Sequence, residues 1–125
     1  MITAIIIDDE AKGRLALREK LSHYCPQVQL QAEASNGQEA LLMIQQLKPQ
    51  LIFLDIEMPR MNGFEMLNAL PEKNFHVIFT TAYDQYAIKA IKYAAFDYLL
   101  KPIDIEELKI AVEKIAGKEN NQTKT

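Results

Sequence analysis

Three aspartates, two threonines and a lysine stand at the ends of separate apolar runs. Asp8 and Asp9 close the run in "AIIIDDEA", Asp55 closes "LIFLD", Thr80 and Thr81 close "HVIFTT", and Lys101 closes "DYLLK". Three carboxylates with oxygen donors only suit a hard divalent cation, Mg²⁺ first among them. A hydroxyl and an ammonium opposite such a cation complete a cradle for a phosphoryl group. Phosphoryl transfer asks for positioning and charge neutralisation more than for covalent machinery. A carboxylate in that cradle is then a nucleophile able to form an acyl phosphate.

Each residue alone has a plainer reading. Asp8, Asp9 and Glu10 can cap a helix and complement its dipole. Asp55 can be a turn residue before Pro59, Thr81 an N-cap and Lys101 a solvated charge. Adjacent acids repel by about 1 kcal/mol per pair at ~4 Å in water, so they must splay apart or find a cation. What points to a single pocket is their recurrence at the ends of separate runs.

The elements that must position them alternate along the chain. Apolar runs cover residues 4–8, 28–34, 51–55, 76–81 and 97–101. Three are nearly continuous in Val, Ile, Leu and Phe, as strands of a parallel sheet covered on both faces are. The second run, "VQLQAEA", alternates as an edge strand does. Between the runs lie amphipathic helices. Leu17, Leu21 and Tyr24 share one face, and Pro26 ends that helix. Asn36 with Glu39, and Asp104 with Glu107, read as capping boxes. The first opens a face of Ala40, Ile44 and Leu47; the second precedes Ile105, Leu108, Val112 and Ile115. Asn62 with Glu65 opens a shorter helix, and the segment from Tyr83 to Tyr93 sets Ile88 and Ile91 on one face. Gly117 reads as a helix C-terminal glycine, followed by a polar tail, "KENNQTKT". Strand–helix five times over means a doubly wound α/β domain. In such sheets ligands bind beyond the carboxyl ends of the strands, at the switch in strand order. With the order 2-1-3-4-5, Asp8, Asp9 and Asp55 converge there, flanked by Thr81 and Lys101.

Bulk properties narrow the function. The 125 residues carry a net charge of -3 and no long basic run, which argues against bulk nucleic-acid binding. The single cysteine, Cys25, has no internal disulfide partner and reads as a small hydrophobe. No run approaches the ~20 apolar residues of a membrane span, and Asp8 interrupts the first apolar stretch, so a cytoplasmic protein is expected. His23 and His76 lack metal-ligand spacing and read as structural, and Asp84 and Asp97 as solvent or turn residues.

"DDE" after the first run, "LDIEMPRMNGFEML" after the third, "TTA" after the fourth and "YLLKP" at the fifth resemble the receiver domain of two-component response regulators. The resemblance spans residues 1–116 and implies a flavodoxin-like (βα)5 fold, with a receiver over 1–117 and a disordered tail or linker over 118–125. It implies that Asp55 accepts a phosphoryl group from a phosphohistidine on a sensor histidine kinase. Asp9 would ligate Mg²⁺ directly, Asp8 would assist, and the Glu57 backbone carbonyl would be a further ligand. Thr81 would bind the phosphoryl group, Lys101 would pair with it, and the Lys101–Pro102 bond would be cis, with Pro59 and Gly63 structural. Tyr98 would be a switch aromatic, exposed before phosphorylation and turned inward after it, although strand alternation alone also gives a half-exposed tyrosine. Glu57 and Tyr83 would tune phosphoryl lifetime.

"TTAYDQYAIKAIKYAAFDYLLKPI" is further similar to receivers that precede a LytTR-type DNA-binding domain; these 125 residues hold no such domain, so the chain is either a truncated receiver, the favoured reading, or a protein that acts alone. DNA would then be reached through that output domain and not directly. The helices carrying "YAIKAIKYA" and "IEELKIAVEKI" offer a homodimer face with the fifth strand. Chemistry is expected to stop at self-catalysed phosphotransfer and autodephosphorylation. Two other classes fit parts of the pattern. A haloacid dehalogenase-type phosphohydrolase also has a strand-end aspartate, but near the start of a longer chain. An interaction module with a vestigial pocket would not need every pocket residue to be present.

Overall fold

The computed structural model describes the backbone of residues 1–123 and the side chains of residues 1–119. Five strands, β1 (Ile2–Ile7), β2 (Val28–Ala34), β3 (Leu51–Leu54), β4 (His76–Thr81) and β5 (Asp97–Leu100), alternate with five helices. The helices are α1 (Ala11–Tyr24), α2 (Gly37–Leu47), α3 (Gly63–Asn68), α4 (Ala87–Lys92) and α5 (Ile105–Thr123). All strand pairings are parallel, in the order β2-β1-β3-β4-β5, the doubly wound flavodoxin-like arrangement.

The central strands are apolar on both faces because both faces are covered. Alternate residues of β1 and β3 point to opposite layers. Ile5, Ile7, Ile52, Leu54 and Phe79 pack with Ala40, Ile44, Phe64, Met66 and Ala90 of α2, α3 and α4. Ala4, Ile6, Leu51, Phe53 and Ile78 pack with Leu17, Leu21, Leu108, Val112 and Ile115 of α1 and α5. Burying a side chain of this size contributes about 1.5–3 kcal/mol, so these two layers dominate the stability. Register then aligns the strand ends: Ile7 lies opposite Leu54, Leu54 opposite Phe79, and Thr81 opposite Leu100. The residues just after Ile7 and Leu54 therefore leave the sheet side by side.

Several local expectations need correction. At α2 the Asn36 side chain accepts from the Glu39 N–H, but the Glu39 carboxylate reaches back to Ser35 N and Oγ, one residue before the cap. At α5 only the Asp104 half of the box forms, by accepting from the Glu107 N–H. The reciprocal box is complete at Asn62 and Glu65. Tyr24 and Leu47, read as inward residues, are exposed at helix ends. Gly117 does not end α5, which runs on to Thr123. Most of the expected tail is thus helical, and residues 124 and 125 lie outside the described residues. In α4, Ile88 and Ile91 share a face, but each is 75% exposed, while Ala90 supplies the buried contact.

Candidate functional site

The pocket is built where β1 and β3 diverge to opposite helical layers. The Asp55 N–H donates to the Ile7 carbonyl at 2.9 Å, which locks the two strand ends in register beyond the sheet. The Asp8 N–H donates to the Ala34 carbonyl at 3.1 Å, and the Asp8 carboxylate accepts from the Glu10 N–H at 2.9 Å as α1 begins. Asp8, Asp9 and Asp55 offer carboxylate oxygens within 4.8 Å of one another, the one such acidic group among the described residues. Asp8 and Asp55 are only 2% and 5% exposed, whereas Asp9 lies at the open rim. Glu10 sits at the N-cap position of α1 but makes no side-chain cap bond.

Lys101 enters from the far side. Its Nζ donates to Asp8 Oδ2 at 2.7 Å and to Asp55 Oδ2 at 3.2 Å. Its own N–H donates to the Thr81 carbonyl at 2.8 Å, so the ends of β4 and β5 are tied at the pocket wall. The Lys101–Pro102 peptide is cis. Thr81 is fully buried, and its hydroxyl accepts from the Tyr83 N–H at 3.3 Å. Gly63 sits beneath the loop after β3: a Cβ there would lie 2.7 Å from the Asp55 carbonyl oxygen. Pro59 lies farther along that loop, its carbonyl accepting from the Met61 N–H at 2.8 Å.

Three carboxylates face one ammonium, and burial decides how they titrate. Desolvation pushes the Asp55 carboxyl up to about 6, against the pull of Lys101 and with the push of Asp8. Burial disfavours the Lys101 ammonium, but its bond to Asp8 and the charge of Asp55 outweigh that, leaving it above its ordinary value. The excess of anionic oxygen donors is the donor set a hard divalent cation takes, so these residues fit one.

Two tyrosines frame the opening. Tyr98 is half-buried, and its hydroxyl donates to the Tyr83 carbonyl, which pins β5 to the loop between β4 and α4. Tyr83 itself is exposed. The Tyr86 hydroxyl donates to Glu57 Oε2 at 3.0 Å, linking the loops after β3 and β4; that bond pushes its phenol up.

Sequence reasoning missed Tyr86 and two residues of α1. A Cβ on Gly13 would stand 2.4 Å from Asp8 Oδ2 and 3.3 Å from Lys101 Nζ, so the first turn of α1 closes the pocket only as glycine. The next residue is Arg14, a guanidinium nitrogen of which donates to the Asp8 carbonyl at 2.7 Å. The signal for Gly13 was available: glycine inside a helix costs about 0.5–1 kcal/mol relative to alanine, and this one stands three residues after the last of the acids.

The family profile of the response regulator receiver domain matches residues 4–113. An uncharacterised response regulatory protein of Yersinia pestis is 50% identical over 109 residues, covering 86% of this chain and 45% of that protein. The transcriptional regulatory protein BtsR of Escherichia coli is 41% identical over 123 residues, covering 98% and 51%. The chain thus spans about half the length of the curated relatives it matches. Among solved structures, the receiver domain of AraT, a response regulator from Geobacillus stearothermophilus, superposes with a TM-score of 0.86 at 34% identity, covering 98% of each chain. No helix among the described residues is long and apolar enough to cross a membrane.

Proposed function

The chain belongs to the response regulator receiver domain family, and from that premise we propose that Asp55 is its phosphoacceptor. The observation that carries this is the buried Asp55 carboxylate, 3.2 Å from Lys101 Nζ and grouped with Asp8 and Asp9 within 4.8 Å. Receiver domains partner with sensor histidine kinases. In this reading an Asp55 oxygen attacks the phosphorus of a phosphohistidine, the P–O bond forms as the P–N bond breaks, and the imidazole leaves. Mg²⁺ held by the Asp8, Asp9 and Asp55 carboxylates and the Glu57 main-chain carbonyl would supply charge neutralisation for the phosphoryl oxygens. Lys101 adds a positive charge on the opposite side, and the Thr81 hydroxyl turns from the Tyr83 N–H to donate to the phosphoryl group.

The transferred group adds about -1.5 to -2 charge, enough to draw the Thr81 and Lys101 strand ends together. Tyr98 then follows the loop to which its hydroxyl is bonded, and the population shifts between two packings of α4, β5 and α5. The exposed Ile88 and Ile91 make that face a homodimer surface on phosphorylation. A LytTR-type DNA-binding output domain, transcriptional control and a cytoplasmic location complete the proposal. The transcriptional role of BtsR, as its name states it, supports the output. There is no turnover beyond self-catalysed phosphotransfer and autodephosphorylation.

The test is a mass spectrum after incubation with Mg²⁺ and acetyl phosphate. One added phosphoryl group, absent from Asp55→Asn, is expected. No addition to the wild type would refute phosphoacceptance, and turnover of a generic phosphate ester would mark a hydrolase instead.

A further inference from the structure

Glu57 stands two residues after Asp55, yet its carboxylate is not part of the acidic group that Asp8, Asp9 and Asp55 form. It is engaged elsewhere: the Tyr86 hydroxyl donates to Glu57 Oε2 at 3.0 Å. Tyr86 occupies the N-cap position of α4, and its ring stands edge-on to the buried Phe64 at 6.2 Å and to Tyr83 at 6.4 Å. A tyrosine held against two other rings presents its hydroxyl with little rotamer freedom left to lose. The Lys89 ammonium lies 4.7 Å from the centre of the Phe64 ring. Lys89, Tyr86 and Glu57 line one recess, and none of the three aspartates lines it. The positive charge of Lys89 favours a carboxylate on that side.

The position of this fourth acid matters to the pocket. Three carboxylates already face the one ammonium of Lys101. Affinity for a divalent cation rises with the charge of its ligands, so a fourth carboxylate would hold the cation more tightly. It would also take a coordination position that Mg²⁺ otherwise leaves to water or to a phosphate oxygen.

We propose that Tyr86 is a positioning residue whose hydroxyl holds the Glu57 carboxylate off the cation site and so keeps that site open to the phosphoryl donor. This rests on the reading of Asp8, Asp9 and Asp55 as the cation site. Tyr86→Phe keeps the ring and its packing but releases the carboxylate. Glu57→Gln keeps an oxygen for the Tyr86 hydroxyl but carries no charge to add to the site.

Mg²⁺ titration of the full, unphosphorylated chain, followed by amide chemical shifts, tests this. Tyr86→Phe is expected to bind Mg²⁺ about five-fold more tightly than the wild type, the worth of one ordinary hydrogen bond. Added to Glu57→Gln, the same change is expected to leave Mg²⁺ affinity where Glu57→Gln alone puts it. At saturating Mg²⁺, Tyr86→Phe should also take up a phosphoryl group from acetyl phosphate more slowly than the wild type. Mg²⁺ affinity that is unchanged or weaker in Tyr86→Phe would overturn the role of Tyr86. So would a gain that persists in the Glu57→Gln background, because a merely structural effect of the ring does not depend on the charge of Glu57. A wild type whose shifts do not respond to Mg²⁺ would overturn the cation site itself and this proposal with it. The titration needs no phosphorylation, so a failure of Asp55 as acceptor is read separately.

Discussion

Removing the charge of Asp55 should stabilise the metal-free protein, and by an amount that grows with pH. The buried carboxyl titrates at about 6 against an ordinary value of 3.8. The cause is first desolvation, with Asp8 adding to it and Lys101 opposing. Because the folded state holds its proton more tightly than the unfolded one, ionising Asp55 costs the fold stability as pH rises between these values. Below 3.8 both states are protonated and the cost is absent; above about 6 it is complete. At ~1.36 kcal/mol per pH unit the gap amounts to about 3 kcal/mol at pH 8 and about 1 kcal/mol at pH 4.5. Asp55→Asn keeps the shape without the charge, and leaves Lys101 paired with Asp8 at 2.7 Å. In chelator, its unfolding midpoint should exceed that of the wild type at pH 8 by roughly 10 °C, taking ~4 °C per kcal/mol for a domain of this size. The excess should shrink to about a third at pH 4.5. Thermal or urea unfolding followed by circular dichroism across that range measures it. A variant no more stable than the wild type at pH 8, or an advantage that does not change with pH, would refute the assignment of a buried, strained carboxylate.

The remaining predictions bear on neighbouring parts. Mg²⁺ should raise the unfolding midpoint of the wild type, and a scan of Asp9→Ala showing an equal gain would refute the cation site. Gly13→Ala pushes a methyl to 2.4 Å from Asp8 Oδ2; it should cost about 1–3 kcal/mol in urea unfolding and weaken the Mg²⁺-induced rise, where a neutral effect would show that the pocket wall is soft. Glu57→Ala and Tyr83→Ala should change the half-life of phosphorylated protein, timed after removal of acetyl phosphate; unchanged decay in both would dismiss these positions as lifetime tuners. Sedimentation with and without a phosphoryl mimic should show a larger mass with it, and an Ile88→Lys variant that still dimerises would exclude the α4 face.

Much of the architecture is written in local pattern. Continuous apolar runs such as "LIFLD" can be buried only between two helical layers, and their alternation with amphipathic segments admits few folds besides a doubly wound parallel sheet. Strand ends are then where polar residue types concentrate, which is why Asp8, Asp9, Asp55, Thr81 and Lys101 could be read as one set before any distance was known. Asn62 and Glu65 show the limit of such pattern reading. Their capping box closes, while the same spacing at Asn36 and Glu39 sends the carboxylate to Ser35 instead. The choice rests on backbone geometry outside the motif.

Other features depend on side chains far apart in the chain. Gly13 is required by the approach of Asp8 and Lys101, 93 residues apart, to the first turn of α1. Gly117 reads as a stop because glycine is the usual helix terminator, yet α5 continues, and Glu119 in the added turns meets His76 and Gln50, 43 and 69 residues away. The rise of Asp55 to about 6 is a property of burial first, and then of two charged neighbours, Lys101 opposing it and Asp8 adding to it, and no single stretch of sequence contains it. Composition and periodicity thus determined the layers and the edge at which chemistry gathers. Only the tertiary structure decided how close the charges stand, because distance and desolvation exist only once the strands are side by side.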